Sequence, residues 1–309
     1  MSVIEINRNV LLPNLLTIGN GICGFVALAT LCRMQAEPLA EESISAFATA
    51  AWLVFLGMVF DVFDGKVARA AGGSSALGAQ LDSLADLITF GLVPAVMILQ
   101  MNRSAESNWE RLVTVLTLAY FLGATLRLAR FTAENSPDES AHLAFKGLPT
   151  PAAGGCVASL VIFYCYLQQF SKPELKWVAD NLVSQAAIQS TIAHIPAVLP
   201  FFALVLGFTM VSNRLVFDHA GSWFFGRKHS FDFFAYIIFG AVLAAVVPEV
   251  LLPIAFLGYL SYKPILFGCR RLLGLSNKEQ SRSSAPLGVD ENGGLVDRSP
   301  PHNSEESSP

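Results

Sequence analysis

Long apolar runs alternate with short polar connections along most of the chain. The runs are close to 20 residues, the length at which a helix crosses the hydrocarbon core of a bilayer. In order they predict spans at about 14–33, 46–71, 77–100, 111–131, 150–169, 194–213, 232–247 and 250–268. Gly19, Asn20, Gly21 and Gly24 interrupt the first run and few charges precede it. It therefore reads as a membrane helix, although Ala27-Leu28-Ala29 resembles the cleavage site of a secretory signal. Residues 1–12 are short and mixed, suited to an interfacial segment. Gly72-Gly73-Ser74-Ser75 turns the second span into the third, where Pro94 predicts a kink. Residues 171–190 are amphipathic and expected outside the membrane, residues 214–231 are basic and aromatic, and Pro248-Glu249 separates the last two runs. From Gly274 onward Ser, Pro, Gly, Asn and Glu dominate, which predicts a disordered tail.

Composition settles the class. A chain of 309 residues is long enough for one or two soluble domains, but 53% of its residues are hydrophobic and only 14% charged. The mean hydropathy is +0.51. In lipid every backbone polar group needs an internal partner, and runs of this length point to helices. The expected fold is all-α: a polytopic membrane helical bundle of about eight transmembrane helices. A transmembrane domain over 13–273 lies between the interfacial segment 1–12 and a tail over 274–309. The net charge of -4 gives no footprint of a nucleic-acid binder. None of the five cysteines forms a C-x-x-C pair and none of the five histidines shows ligand spacing, so both sets read as packing or surface residues. With eight spans both termini share one face, and fifteen of the twenty Lys and Arg fall on it. The positive-inside bias places that face in the cytoplasm.

Against this apolar background one stretch stands out: Asp61-Val-Phe-Asp64-Gly65-Lys66-Val-Ala68-Arg69, a Gly/Ser turn, then Gly78-Ala-Gln-Leu-Asp82-Ser-Leu-Ala-Asp86. Each aspartate within a membrane span costs about 2.5 to 3.5 kcal/mol on insertion scales, so four unpaired ones cost on the order of 10 kcal/mol. A pair of divalent cations would neutralise them. At about 100° per residue, Asp61, Asp64, Gly65, Ala68 and Arg69 share an arc of roughly 140° on one helix, and Gly78, Asp82 and Asp86 share roughly 80° on the next. The short turn predicts antiparallel neighbours with facing acidic surfaces. Gly65, Ala68 and Gly78 are small where the backbones are expected to approach. Hard oxygen ligands favour Mg²⁺ or Mn²⁺.

This pattern, Asp61-x2-Asp64-Gly65-x2-Ala68-Arg69-x8-Gly78-x3-Asp82-x3-Asp86, resembles the signature of the CDP-alcohol phosphatidyltransferases, with every fixed position filled. The resemblance implies transfer of a phosphatidyl group from CDP-diacylglycerol to an alcohol with release of CMP. It implies one metal on Asp61, Asp64 and Asp82, a second on Asp61, Asp82 and Asp86, and Asp86 as the general base. It also implies nucleotide or phosphate contacts at Gly65, Arg69 and Ser75. Arg69 offers a planar fork to phosphate, with snorkelling to the interface as the lesser alternative, and Ser75 is equally a simple turn residue. Lys66 reads as an interfacial charge.

Further segments bear on the acceptor. Pro13-Asn14-Leu-Leu-Thr17-Ile-Gly19-Asn20-Gly21, Leu126-Arg127-Leu-Ala129-Arg130-Phe131 and Phe145-Lys146-Gly147-Leu148-Pro149-Thr-Pro151 resemble the serine-specific branch of that family, the CDP-diacylglycerol–serine O-phosphatidyltransferases. Thr132 departs from that branch, which usually has Asn there. The resemblance implies L-serine as acceptor, a membrane-lipid substrate, no nucleic-acid partner and a homodimer in the cell membrane, with site and termini facing the cytoplasm. Arg127, Arg130 and Lys146 offer cations to the serine carboxylate or a lipid phosphate, unless they only set topology. Asn14 and Thr17 touch the nucleotide or headgroup, or simply start the helix. Glycerol 3-phosphate, inositol phosphate or choline is the alternative acceptor. A cation-binding transporter is the remote alternative, weakened by the absence of a second acidic hairpin.

Overall fold

The structure is a computed structural model of the chain. It describes residues 8–34, 41–70, 76–103, 106–134, 147–170, 185–212, 246–272, 288–289 and 295–296. The helices are α1 (Arg8–Cys32), α2 (Glu41–Ala70), α3 (Ala76–Asp86), α4 (Val93–Met101), α5 (Ser107–Glu134), α6 (Thr150–Phe170), α7 (Gln185–Val211) and α8 (Pro248–Leu272). A π-helical turn, Leu87–Leu92, joins α3 to α4 without a break. The chain forms two compact units, Met1–Lys263 and Pro264–Pro309. Within the second, β1 (Gly288–Val289) pairs antiparallel with β2 (Leu295–Val296), Gly288 opposite Val296. The stretch expected to be wholly without structure therefore holds one local pairing, across a sequence rich in turn-forming types.

Among the described residues six stretches are long and apolar enough to cross a bilayer: Leu11–Cys32, Glu41–Ala70, Leu77–Met101, Ser107–Ala133, Thr150–Gln169 and Gln185–Val211, with a shorter one at Pro248–Tyr262. These correspond to the first six predicted spans and the eighth. The predicted span at 232–247 lies almost wholly outside the described residues. Two helices begin earlier than hydropathy alone suggests. The α2 helix starts at Glu41, with Glu41 and Glu42 in its first turn, where the positive end of the helix dipole favours acids. The α7 helix starts at Gln185, inside the segment read as lying outside the membrane. No break separates residues 8–12 from the first span, because α1 is already helical at Arg8.

The inner layer is the α3–α4 span together with α6. Buried residues make up 61% and 67% of their most apolar stretches, against 28–39% in the other four. Outward faces are as apolar as the interior: Phe25, Leu56, Val115, Phe201 and Phe208 are exposed. Water would not tolerate such faces, and lipid does.

Prolines free backbone carbonyls inside this bundle, and buried side chains recapture them. Pro94 cannot donate to the carbonyl of Phe90 four residues earlier, and the Tyr120 hydroxyl donates to that oxygen instead, at 2.6 Å. The helix is underwound just before it, so the kink expected at Pro94 takes the form of a π-turn. Pro200 likewise frees the carbonyl of Pro196, which accepts Asn102 Nδ2 at 3.1 Å. Asn102 Oδ1 in turn accepts the Trp109 indole N–H at 3.0 Å. Tyr120 is fully buried and Asn102 nearly so, so both recaptured bonds are shielded from water.

Close crossings use glycine. A Cβ on Gly123 would sit 2.7 Å from the carbonyl oxygen of Gly207, and one on Gly207 would sit 2.9 Å from that of Ala119. Backbone is thus packed on backbone where α5 meets α7. After α5 the chain returns through Gly147-Leu148-Pro149, pinned by the Leu148 N–H donating to Thr209 O at 3.1 Å. Gly147 adopts φ +92°, and a side chain there would run into the carbonyl of Met210. We expect Gly207→Leu to overpack the α5–α7 crossing and destabilise the bundle by about 2 kcal/mol or more, read as a lower midpoint of thermal unfolding in detergent, whereas Phe208→Leu on the lipid-facing side leaves the midpoint nearly unchanged.

Candidate active site

Four aspartates meet at one end of the inner layer. Asp61 and Asp64 come from the last third of α2, Asp82 and Asp86 from α3. One carboxylate oxygen from each of Asp61, Asp64 and Asp82 lies within 4.8 Å of the other two. Asp86 is buried and interacts electrostatically with Asp61, Asp82 and Asp64. Among the described residues no other group of three or more Asp, Glu, His or Cys converges in this way.

The neighbours differ from the expected arrangement in one respect. The two acidic helices scarcely touch each other; α1 packs along both and forms a shared wall. Gly65 has a different use from close helix contact, since a Cβ there would meet nothing within 4 Å. It leaves bare backbone beside the carboxylates.

The α1 wall supplies the donors. Thr17 Oγ1 lies 2.9 Å from Asp64 Oδ2, to which it donates, and 3.1 Å from the carbonyl of Pro13. Asn20 Nδ2 donates to Asp86 Oδ1 at 2.9 Å. Thr17 is 3% exposed and Asn20 0%, so these bonds act away from water. Asn20 is fixed in turn: Thr89 Oγ1, in the π-turn, donates to its backbone carbonyl at 3.0 Å. Gly24 and Gly57 make this possible, because a Cβ on either would clash with Thr89, and one on Gly57 also with Asn20 Oδ1.

The cations are distributed unevenly. Arg127 of α5 is partly buried, its charge interacts with Asp86 and Asp61, and its Nη1 donates to Thr150 Oγ1 at 2.6 Å. Its Nε is buried without a hydrogen-bond partner. Arg130 lies one turn further along α5, partly buried, and Arg69 is exposed at the end of α2. Ser75 and Lys146 lie outside the described residues. Thr132, the departure from the serine-specific pattern, pairs with Ser83 of α3 at 3.0 Å and so ties α5 to the acidic helix.

The donor set fits a divalent cation. All ligands are hard carboxylate oxygens, and Asp82 Oδ1 is buried with no hydrogen-bond partner. A buried, unsatisfied anionic oxygen facing two other carboxylates needs positive charge, and one arginine does not supply enough.

The sequence model of the CDP-alcohol phosphatidyltransferases matches residues 10–199, a stretch that contains nearly all of α1, α2 to α6, about half of α7 and every aspartate of the cluster. The chain belongs to the CDP-alcohol phosphatidyltransferase family. It is an integral membrane protein with an acidic cluster suited to a metal ion, as that family requires. It is also similar to proteins named CDP-diacylglycerol–serine O-phosphatidyltransferase. The Bacillus subtilis protein is 33% identical over 153 residues, covering 50% of this chain and 76% of its own. The Saccharomyces cerevisiae protein is 32% identical over 217 residues, covering 67% and 70%. The Methanocaldococcus jannaschii protein is 37% identical over 115 residues, covering 37% and 49%. No solved structure matches the chain.

Three residues gain a place that sequence reading did not give them. Asn20 and Thr150 had no role assigned, and Thr17 was expected at a headgroup or a helix start. The available signal was Thr17 and Asn20 three apart on one face of an apolar span, where an unsatisfied polar side chain is expensive. Thr17→Val keeps the shape and removes the donor to Asp64. We expect it to weaken divalent-cation binding by roughly tenfold, measured by titrating Mn²⁺ into the purified protein and following the bound fraction.

Proposed function

We propose that this protein transfers the phosphatidyl group of CDP-diacylglycerol to the hydroxyl of L-serine, giving phosphatidylserine and CMP. The observation that carries the reading is the convergence of Asp61, Asp64, Asp82 and Asp86 from two helices on one polar space, in the spacing of the family signature. The names of the relatives and the cation beside the carboxylates favour serine as the acceptor.

In this reading Asp61, Asp64 and Asp82 hold one Mg²⁺ or Mn²⁺ ion, and Asp61, Asp82 and Asp86 a second. Two bound ions supply positive charge to a pyrophosphate and to the attacking and leaving oxygens. Gly65 lets the nucleotide approach bare backbone. Arg69, at the end of α2, and Ser75 bind phosphate oxygens. Asp86 accepts the proton of the serine hydroxyl. The serine oxygen bonds to the phosphatidyl phosphorus as the bond from that phosphorus to the CMP oxygen breaks, and CMP departs with the electron pair. Asn20 donates to Asp86 Oδ1, which holds the carboxylate in one orientation. Arg127, Arg130 and Lys146 offer cations to the serine carboxylate or the lipid phosphate.

The site and both termini face the cytoplasm, as the distribution of Lys and Arg suggests, and the protein works as a homodimer. Residues 13–273 form the catalytic domain, with 1–12 at the interface and 274–309 dispensable for the reaction.

The deciding experiment supplies purified protein with CDP-diacylglycerol and, in turn, L-serine, glycerol 3-phosphate, inositol phosphate or choline, and follows CMP release. Serine alone is expected to support release, and chelation of divalent metal to abolish it. Release with another acceptor, or full turnover after chelation, overturns the reading. We expect Asp86→Asn to lower kcat by roughly a thousandfold while the protein still binds CDP-diacylglycerol. Truncation after residue 276 should leave kcat/KM within about twofold, because the tail carries none of the residues assigned to the reaction.

A further inference from the structure

Arg127 is unusual among the cations near the site in what already holds it and what does not. Its Nη1 is occupied by Thr150 Oγ1 at 2.6 Å, while its buried Nε has no partner. Its charge interacts with Asp61 and Asp86, so the side chain reaches toward the carboxylate space. A guanidinium carries its N–H groups in a rigid plane, and fixing one of them fixes where the others point.

Thr150 is well placed to do the fixing. It is fully buried at the first position of α6. Its β-branched side chain has few rotamers. The strap before it is set by tertiary contact: the Leu148 N–H bonds to Thr209 O, and Gly147 takes a left-handed φ against the end of α7. Three helices thereby agree on the position of one guanidinium. No part of the aspartate cluster needs Thr150, and the proposed transfer step does not use it.

We propose that Thr150 is a positioning residue for the acceptor: it turns Arg127 so that the Nε edge is presented to the carboxylate of the incoming amino acid. This rests on the reading of the protein as a serine phosphatidyltransferase. A carboxylate that leaves water for this site needs donors in exchange, and an arginine edge receives it through paired N–H donors. An acceptor alcohol without an anionic group gains nothing from that edge, so the Thr150–Arg127 pair contributes to the choice of acceptor as well as to its binding.

The test uses the full chain, purified in detergent, with CDP-diacylglycerol and L-serine each varied in turn. Thr150→Val preserves the shape and removes the acceptor of the Arg127 bond; Thr150→Ser keeps it. We expect Thr150→Val to raise the KM for serine by roughly tenfold or more, the effect of losing a bond to a charged group. Its kcat and its KM for CDP-diacylglycerol should stay within about twofold of wild type, and Thr150→Ser should behave as wild type in all three. If the valine variant does not fold, Thr150→Ala is read in the same way. An equal rise in both KM values, a fall in kcat alone, or a serine variant as impaired as the valine one overturns the positioning role. Wild-type protein that releases CMP with a different acceptor and not with serine overturns the functional reading instead.

Discussion

Four carboxylates held together inside an apolar bundle are the constraint from which the rest of the structure follows. Their mutual repulsion is strong wherever water is scarce, and burial adds a cost for each. Two neutral donors bond to them and one guanidinium acts on them through its charge, which leaves most of the negative charge unbalanced. A cluster in this condition is built for something positive to enter. The open space above Gly65 and the unsatisfied oxygen of Asp82 express the same incompleteness.

The scaffold around the cluster is correspondingly stiff. The α1 helix packs along both acidic helices and reaches one donor to each, Thr17 to Asp64 and Asn20 to Asp86. Behind it, the π-turn after Asp86 is tied to α1 through Thr89 and to α5 through the Tyr120–Phe90 bond. The proline that disrupts the helix thus creates the acceptor that locks it to its neighbour. In the proposed reading a general base and metal ligands need fixed positions more than they need stability, and buried bonds of this kind would provide them.

The same logic separates an enzyme of this family from a transporter with an acidic cation site. The described residues hold a single carboxylate cluster, at one end of the inner layer, with a cation next to it and bare backbone beside it. That arrangement suits a charged nucleotide-bearing lipid that enters from one side and reacts there. It offers no second, related half through which an ion would be passed on.

The sequence by itself determined the class of the protein and the identity of its central residues. Apolar runs of spanning length leave helices as the solution, and aspartates at Asp61, Asp64, Asp82 and Asp86 are too costly in such runs to be incidental. Local chemistry sufficed for that, because helical periodicity and the expense of a buried charge are both readable one segment at a time. It did not extend to the neighbours of those residues. The packing of α1 along both α2 and α3, the hold of Thr17 and Asn20 on the carboxylates, and the capture of Arg127 by Thr150 join positions up to 66 residues apart. Their partners are chosen by which helix faces meet, and that choice belongs to the packed bundle, where glycine crossings and recaptured carbonyls decide how close each backbone comes.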